Sequence, residues 1–133
     1  AVSAGAATSA VLDASAVLAW LRDEPGAELV HPLLPAAAMS AADWSETHQR
    51  LLQHGVDAHR ATNRLRTLGV RIEPLTEPDA ITAANLWVAT RSAGLSLGDR
   101  CCLALAARLD RVAVTADAVW AGLDIDIPVR IIR

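Results

Sequence analysis

Apolar positions change period repeatedly along the chain, and each change marks an element. A continuous apolar run ending at Val11-Leu12 and beginning near Ser9 predicts a short buried strand. Ser15 to Arg22 has helical spacing, with Val17, Trp20 and Leu21 on one side, and Pro25-Gly26 stops it. Ala27 to Leu34 predicts a short helix ending before Pro35. Met39-Ser40 predicts a brief strand, and Ala42 to His54 a helix terminated by Gly55. Asp57 is placed to cap a helix whose stripe is Ala58, Ala61, Leu65 and Leu68, ending at Gly69. Val70 to Leu75 alternates like a strand, and Pro74 cuts it short or places it near an edge. Helices follow over Pro78 to Ser92 and from Ser96 to about Asp110, then a buried strand at Val112 to Val114, a helical turn at Ala118 to Leu123, and a last strand at Ile127 to Ile132.

Strands that alternate with helices imply an α/β fold: a three-layer α/β/α sandwich around a central parallel sheet. The small residues of 1–8 read as a frayed terminus without the basic and apolar regions of a signal peptide, which leaves 9–133 as one domain. No apolar run approaches the roughly 20 residues that span a bilayer. A hydrophobic fraction of 53% argues against disorder. Cys101 and Cys102 are adjacent on a predicted helix, point about 100° apart, and so read as free thiols of a reducing, cytoplasmic protein. The net charge of −3, with every basic residue an arginine, disfavours a large electrostatic nucleic-acid patch and leaves room for a local one.

Ligands of open parallel sheets bind at the carboxyl ends of strands, and acids gather there. Asp13 ends the first strand in "VLDASAVLAWL"; Asp117 follows the Val112–Val114 strand in "VTAD". Glu46 lies one to two turns into the helix after Met39-Ser40, and Asp99 in the first turn of the helix opened by "LSLGD". Each has an ordinary structural use: Asp13 and Asp117 as caps, Asp99 in a capping box with Ser96, Glu46 as an i,i+4 partner of Arg50. Together they converge on one sheet edge, where four carboxylates repel one another unless cations lie between them. Oxygen-only ligation suits Mg²⁺ or Mn²⁺, and such sites hydrolyse phosphodiesters.

"LDASA", "LSLGDRCCLALA" and "VTADAVW", in that order and spacing, resemble the PIN-domain nucleases and, more narrowly, VapC-type toxins of type II toxin–antitoxin systems. The resemblance spans nearly the whole chain. It implies that Asp13, Glu46, Asp99 and Asp117 form the metal cleft, supported by Ser15 and Thr115. It further implies an Mg²⁺- or Mn²⁺-dependent endoribonuclease acting on tRNA or rRNA, neutralised by a cognate VapB-type antitoxin, and homodimeric. A catalytically silent PIN-like module binding RNA or protein is the alternative, which the intact acid set disfavours. An aspartyl-phosphate phosphatase would want Asp where Ser15 stands, and no P-loop is present.

Asp43, three residues before Glu46, shares its helix face and competes for the role of second acid. The resemblance favours Glu46, because the neighbouring Trp44 and the helix phase then fit the family's pattern better. Trp20, Trp44, Trp87 and Trp120 lie in apolar helical stretches, as core or dimer residues do. The histidines 31, 48, 54 and 59 show no metal-ligand pairing and read as surface or interface residues. Arg60 and Arg64 on one helix face are candidate RNA contacts. Arg100 is another, although its place beside Asp99 favours an ion pair with a cleft acid.

Overall fold

The structure, a computed structural model, describes residues 9–133; the expected frayed segment 1–8 lies outside the described residues. Five parallel strands form the sheet: β1 (Ala10–Leu12), β2 (Ala38–Ser40), β3 (Arg71–Glu73), β4 (Val112–Thr115) and β5 (Val129–Ile131). Their order is β3-β2-β1-β4-β5. The chain therefore winds outward from β1 in one direction and resumes on its other side at β4. That reversal is the topological switch point, and Asp13 and Thr115 lie beside it.

Alternation along the strands builds two cores. Leu12, Met39 and Val114 enter one cluster, with Val17 and Leu65 from the helices above. Val11, Ala38 and Ala113 face the opposite way, against Leu103, Leu105, Ala106 and Trp120. Both faces of β1 are covered, so its three residues are apolar without a break. This is the expected sandwich.

The helices are α1 (Ala14–Leu21), α2 (Ala27–Val30), α3 (Ala41–Gln53), α4 (Ala58–Thr67), α5 (Glu77–Asn85), α6 (Trp87–Thr90) and α7 (Leu97–Leu109). Caps follow the sequence closely: Asp57 accepts from the Arg60 N–H, and Ser96 opens α7. Three boundaries differ from expectation. Beyond α2 the chain tightens into a 3₁₀ helix over His31–Ala36 that runs through Pro35 instead of stopping before it. Prolines donate no N–H, which suits this tighter, shorter form. The single helix expected over Pro78 to Ser92 is interrupted at Leu86, whose φ of −64° and ψ of −18° are close to 3₁₀ values. Its side chain packs on the second core. The last strand begins at Val129, just past Pro128.

An ion pair that sequence inspection missed, between a buried Asp79 and an exposed Arg108, joins α5 to α7. Arg108 Nε donates to both Asp79 oxygens at 3.0 Å, and Asp79 simultaneously closes the capping box of α5 with Thr76. Cys101 and Cys102 are buried free thiols on α7. No helix among the described residues is long and apolar enough to cross a membrane.

Leu105 is 1% exposed beneath the sheet, so Leu105→Ala is expected to destabilise by about 2–5 kcal/mol in urea unfolding. Leu52→Ala, at a side chain 67% exposed, is expected to change stability by no more than about 0.5 kcal/mol. Equal effects at the two positions would contradict this core.

Candidate functional site

Asp13 ends β1 and caps α1. Its Oδ1 accepts from the Ala16 N–H at 3.0 Å and from Ser15 Oγ at 2.7 Å, while Oδ2 accepts from Thr115 Oγ1 at 2.8 Å. An ordinary cap lies in water; this one is only 2% exposed. Burial lifts its pKa to about 6. The bonds from Ser15, Ala16 and Thr115 hold it down, and the Asp99 charge pushes it further up.

The two hydroxyls also stitch β1 to the end of β4. Ser15 Oγ accepts from the Ala116 N–H at 2.9 Å, and Thr115 Oγ1 accepts from the Asp117 N–H at 3.1 Å. Asp117 itself is exposed and caps the following 3₁₀ turn (Ala118–Gly122) through the Val119 N–H at 3.1 Å. It stands one strand over from Asp13.

Two further acids project from α3. Asp43 is buried near the start of that helix, which Ser40 caps. Ser40 Oγ donates to Asp43 Oδ2 at 3.0 Å, but Asp43 Oδ1 has no hydrogen-bond partner. Burial first, and then the charges of Asp13, Glu46 and Asp99, raise its pKa well above the usual carboxylate range, against the bond from Ser40. Glu46, one turn on and partly buried, is raised by burial and by Asp99, with Arg50 opposing. Asp99 closes the capping box of α7: its Oδ2 accepts from the Ser96 N–H at 2.9 Å. Between these elements lies Gly98. A Cβ there would meet Glu46 Oε1 at 3.0 Å and Asp43 Oδ1 at 3.7 Å, so the missing side chain lets α7 approach the acids of α3.

Asp13, Glu46 and Asp99 therefore share one electrostatic neighbourhood, Asp43 belongs to it as fully as Glu46, and Asp117 stands at the neighbouring strand end. Ser15 and Thr115 bind Asp13 directly. Among the described residues no group of three or more Asp, Glu, His or Cys side chains is gathered as a ready-made metal site. The donor set nevertheless fits a hard divalent cation: the side chains are all carboxylates, and one buried oxygen, Asp43 Oδ1, lacks any partner.

The candidate RNA contacts lie elsewhere. Arg60 and Arg64 line the outer surface of α4, and Arg64 sits 5.1 Å above the Trp20 ring. Arg100 donates to the Ala83 carbonyl at 2.8 Å instead of pairing with a cleft acid, and its Nε is buried without a partner. The carbonyl of α5 was not foreseeable from the spacing of Asp99 and Arg100. Nor did sequence mark Gly98 as part of the site, because a lone glycine inside a helix reads only as weak propensity.

The PIN domain family model matches residues 10–125, and the chain belongs to this family. Solved structures repeat the fold at low identity. A toxin–antitoxin complex from Klebsiella pneumoniae is 20% identical, with a TM-score of 0.68 over 85% of this chain and 91% of that one. A Mycobacterium tuberculosis VapC toxin described as cleaving the sarcin–ricin loop is also 20% identical, with a TM-score of 0.67 over 86% and 95%. VapBC-1 from nontypeable Haemophilus influenzae is 17% identical, with a TM-score of 0.68 over 92% and 97%. No curated protein sequence matches.

Raised pKa values make the folded state bind more protons than the unfolded chain between the ordinary carboxylate value and about 6. Stability contributed by Asp13 is thus fully present below the unfolded value and is lost as pH rises through the folded one. In EDTA, the melting temperature is expected to be several degrees higher at pH 5 than at pH 7.5. Asp43→Asn is expected to raise it at pH 7.5 and flatten the slope, because it removes one buried charge. A melting temperature that climbs from pH 5 to 7.5 in calorimetry would mean that burial and neighbouring charge do not raise the pKa values of these acids.

Proposed function

We propose that this PIN-family chain is an Mg²⁺- or Mn²⁺-dependent endoribonuclease toxin, built as one domain over residues 9–133 and neutralised by a cognate antitoxin. The observation that carries this reading is the gathering of Asp13 and Asp43, both buried, with the half-buried Glu46 and Asp99 at the switch point. Asp13, Glu46, Asp99 and Asp117 are assigned as metal ligands, and Asp43 is placed to join them. Family membership and the toxin–antitoxin neighbours support an antitoxin partner. The VapC neighbour described as cleaving the sarcin–ricin loop supports a structured RNA of translation, rRNA or tRNA, as substrate. A cytoplasmic location follows from that substrate.

In this reading Ser15 and Thr115 fix both oxygens of Asp13, so that it faces the cleft in one orientation. Glu46 and Asp43 approach from α3, and Asp99 is held at the start of α7 by its bond from the Ser96 N–H. A divalent ion bound there would neutralise the phosphodiester and lower the pKa of the attacking water. Without it, the cleft repels RNA. A silent binding module has no use for buried charge of this kind, which is destabilising unless something occupies it.

Association follows from a second surface. Ile81, Trp87, Val88 and Leu97 are 59%, 48%, 72% and 60% exposed on α5, α6 and α7. Val88 borders an open groove of about 370 Å³ that also contains Leu86, Ile125 and Ile127. A second copy of the chain is the proposed cover, giving a homodimer.

Asp99→Asn retains the size and capping ability of the side chain and removes its charge. Its stability is expected to stay within about 1 kcal/mol, while Mg²⁺-dependent RNA cleavage falls by roughly 10²-fold or more. Unchanged cleavage would remove Asp99 from the site, and unfolding would leave it only a cap. In sedimentation at tens of micromolar, on the order of ordinary assay concentrations, wild type is expected as a dimer and Val88→Glu as a monomer. A monomeric wild type would refute the dimer.

A further inference from the structure

Helix phase gives α3 two different flanks. Successive residues turn by about 100°, so Arg50 falls within about 20° of Asp43 and about 40° of Glu46 around the helix axis. Trp44 and His48 lie on the other flank, beyond the buried Thr47 and Leu51. Along the acid flank the side chains pass from buried Asp43 through half-buried Glu46 to exposed Arg50. The row therefore rises from the floor of the carboxylate cleft to its rim, with about 6 Å of helix axis between Glu46 and Arg50.

The fold does not consume this guanidinium. An i,i+4 ion pair with Glu46 is its ordinary use, but the ion pairs among the described residues belong to Arg71, Arg108 and Arg133. Glu46 still feels the Arg50 charge, which opposes the upward shift of its pKa. The two side chains are thus neighbours without a closed bridge. Other arginines are occupied differently: Arg100 donates inward to the Ala83 carbonyl, while Arg64 and Arg66 stack on Trp20 and Trp44. A cation filling the cleft would neutralise the phosphate placed over it, and the adjoining phosphate of the same strand would meet the rim. A guanidinium suits that phosphate, because its N–H groups form a fork that matches two phosphate oxygens.

We infer that Arg50 binds the RNA phosphate next to the one seated over the acids, and so holds the strand against the α3 side of the cleft. The inference rests on the ribonuclease reading for the nature of the anion. Arg50 positions substrate and does not hold metal, so it acts on RNA affinity and leaves cation affinity intact.

The test pairs two titrations of the same variants. One is fluorescence anisotropy of a labelled single-stranded RNA oligonucleotide in EDTA across a salt series; the other is calorimetric titration with Mn²⁺ in the absence of RNA. Arg50→Gln is expected to weaken RNA binding about 5- to 10-fold and to reduce the salt slope by about 0.7, the value of one lost phosphate contact on single strands. Its Mn²⁺ affinity is expected to equal or exceed that of wild type, since a positive charge beside the acids has gone. Arg50→Lys is expected to keep the salt slope. Arg71→Gln, at an exposed arginine that opens the edge strand β3 at the end of the sheet away from the acids, is expected to change RNA affinity by less than about 2-fold. Equal losses in Arg50→Gln and Arg71→Gln would reduce the effect to net charge and overturn the contact. Wild-type RNA binding in Arg50→Gln would overturn it, and so would a wild type that binds no RNA. A joint fall in RNA and Mn²⁺ affinity would make Arg50 a support for Glu46 and overturn it as well. Arg50-dependent RNA binding in a protein that never cleaves with Mg²⁺ would uphold the contact and defeat the nuclease reading.

Discussion

Mutual repulsion among buried carboxylates is the constraint around which this molecule is organised. Asp13 at 2% exposure and Asp43 at 1% are charges withdrawn from water next to charges of the same sign. Left to themselves they hold protons or drive the elements apart. The surroundings limit that penalty in part: two hydroxyls and the first-turn Ala16 N–H of α1 on Asp13, and a serine on one oxygen of Asp43. The same side chains begin helices and hold charge. A change of one acid therefore has two separable effects, on the cap and on the field.

The sheet order makes this crowding achievable with short, regular parts. β1 is central, so its carboxyl end is flanked by β2 and β4, and each of those strands delivers its own polar residues to the same edge. Thr115 reaches Asp13 across 102 positions of chain because β1 and β4 pair in register, with Leu12 opposite Val114. The two cores lock that register from both faces, since a slip by one residue would exchange Leu12 and Val11 between them. Rigidity behind the acids is thus a property of hydrophobic alternation.

Features written in local sequence were legible. Strand positions followed from short apolar runs, and Asp13, Asp57, Ser96 and Asp117 stood where caps belong. The sandwich followed from their order. What depended on contact between distant elements was not legible. Nothing near Leu86 announces the break before α6, which accompanies its turn toward the second core. Arg100 looked poised for an acid beside it, but α5 offers a carbonyl closer to hand. Asp79 and Arg108 stand 29 positions apart, and only the packing of α5 on α7 brings them together. The spacing of Asp43 and Glu46 showed a shared face; that Asp43 is the more deeply buried of the two is decided by α7, which no spacing within α3 reports.

Gly98 carries a lesson for anyone wishing to make this protein sturdier. Replacing a helical glycine by alanine is a standard route to higher thermal resistance, and at this first-turn position helix propensity favours the change by less than the about 1 kcal/mol of a helix interior. Here the added methyl would sit 3.0 Å from Glu46 Oε1, and either α7 or the glutamate must give way. An optimisation scheme blind to chemistry would select this substitution early and for sound thermodynamic reasons. Its product would be a tougher helix set against a displaced acid, so the durability of this fold and the spacing of its charges are drawn in opposite directions at a single residue.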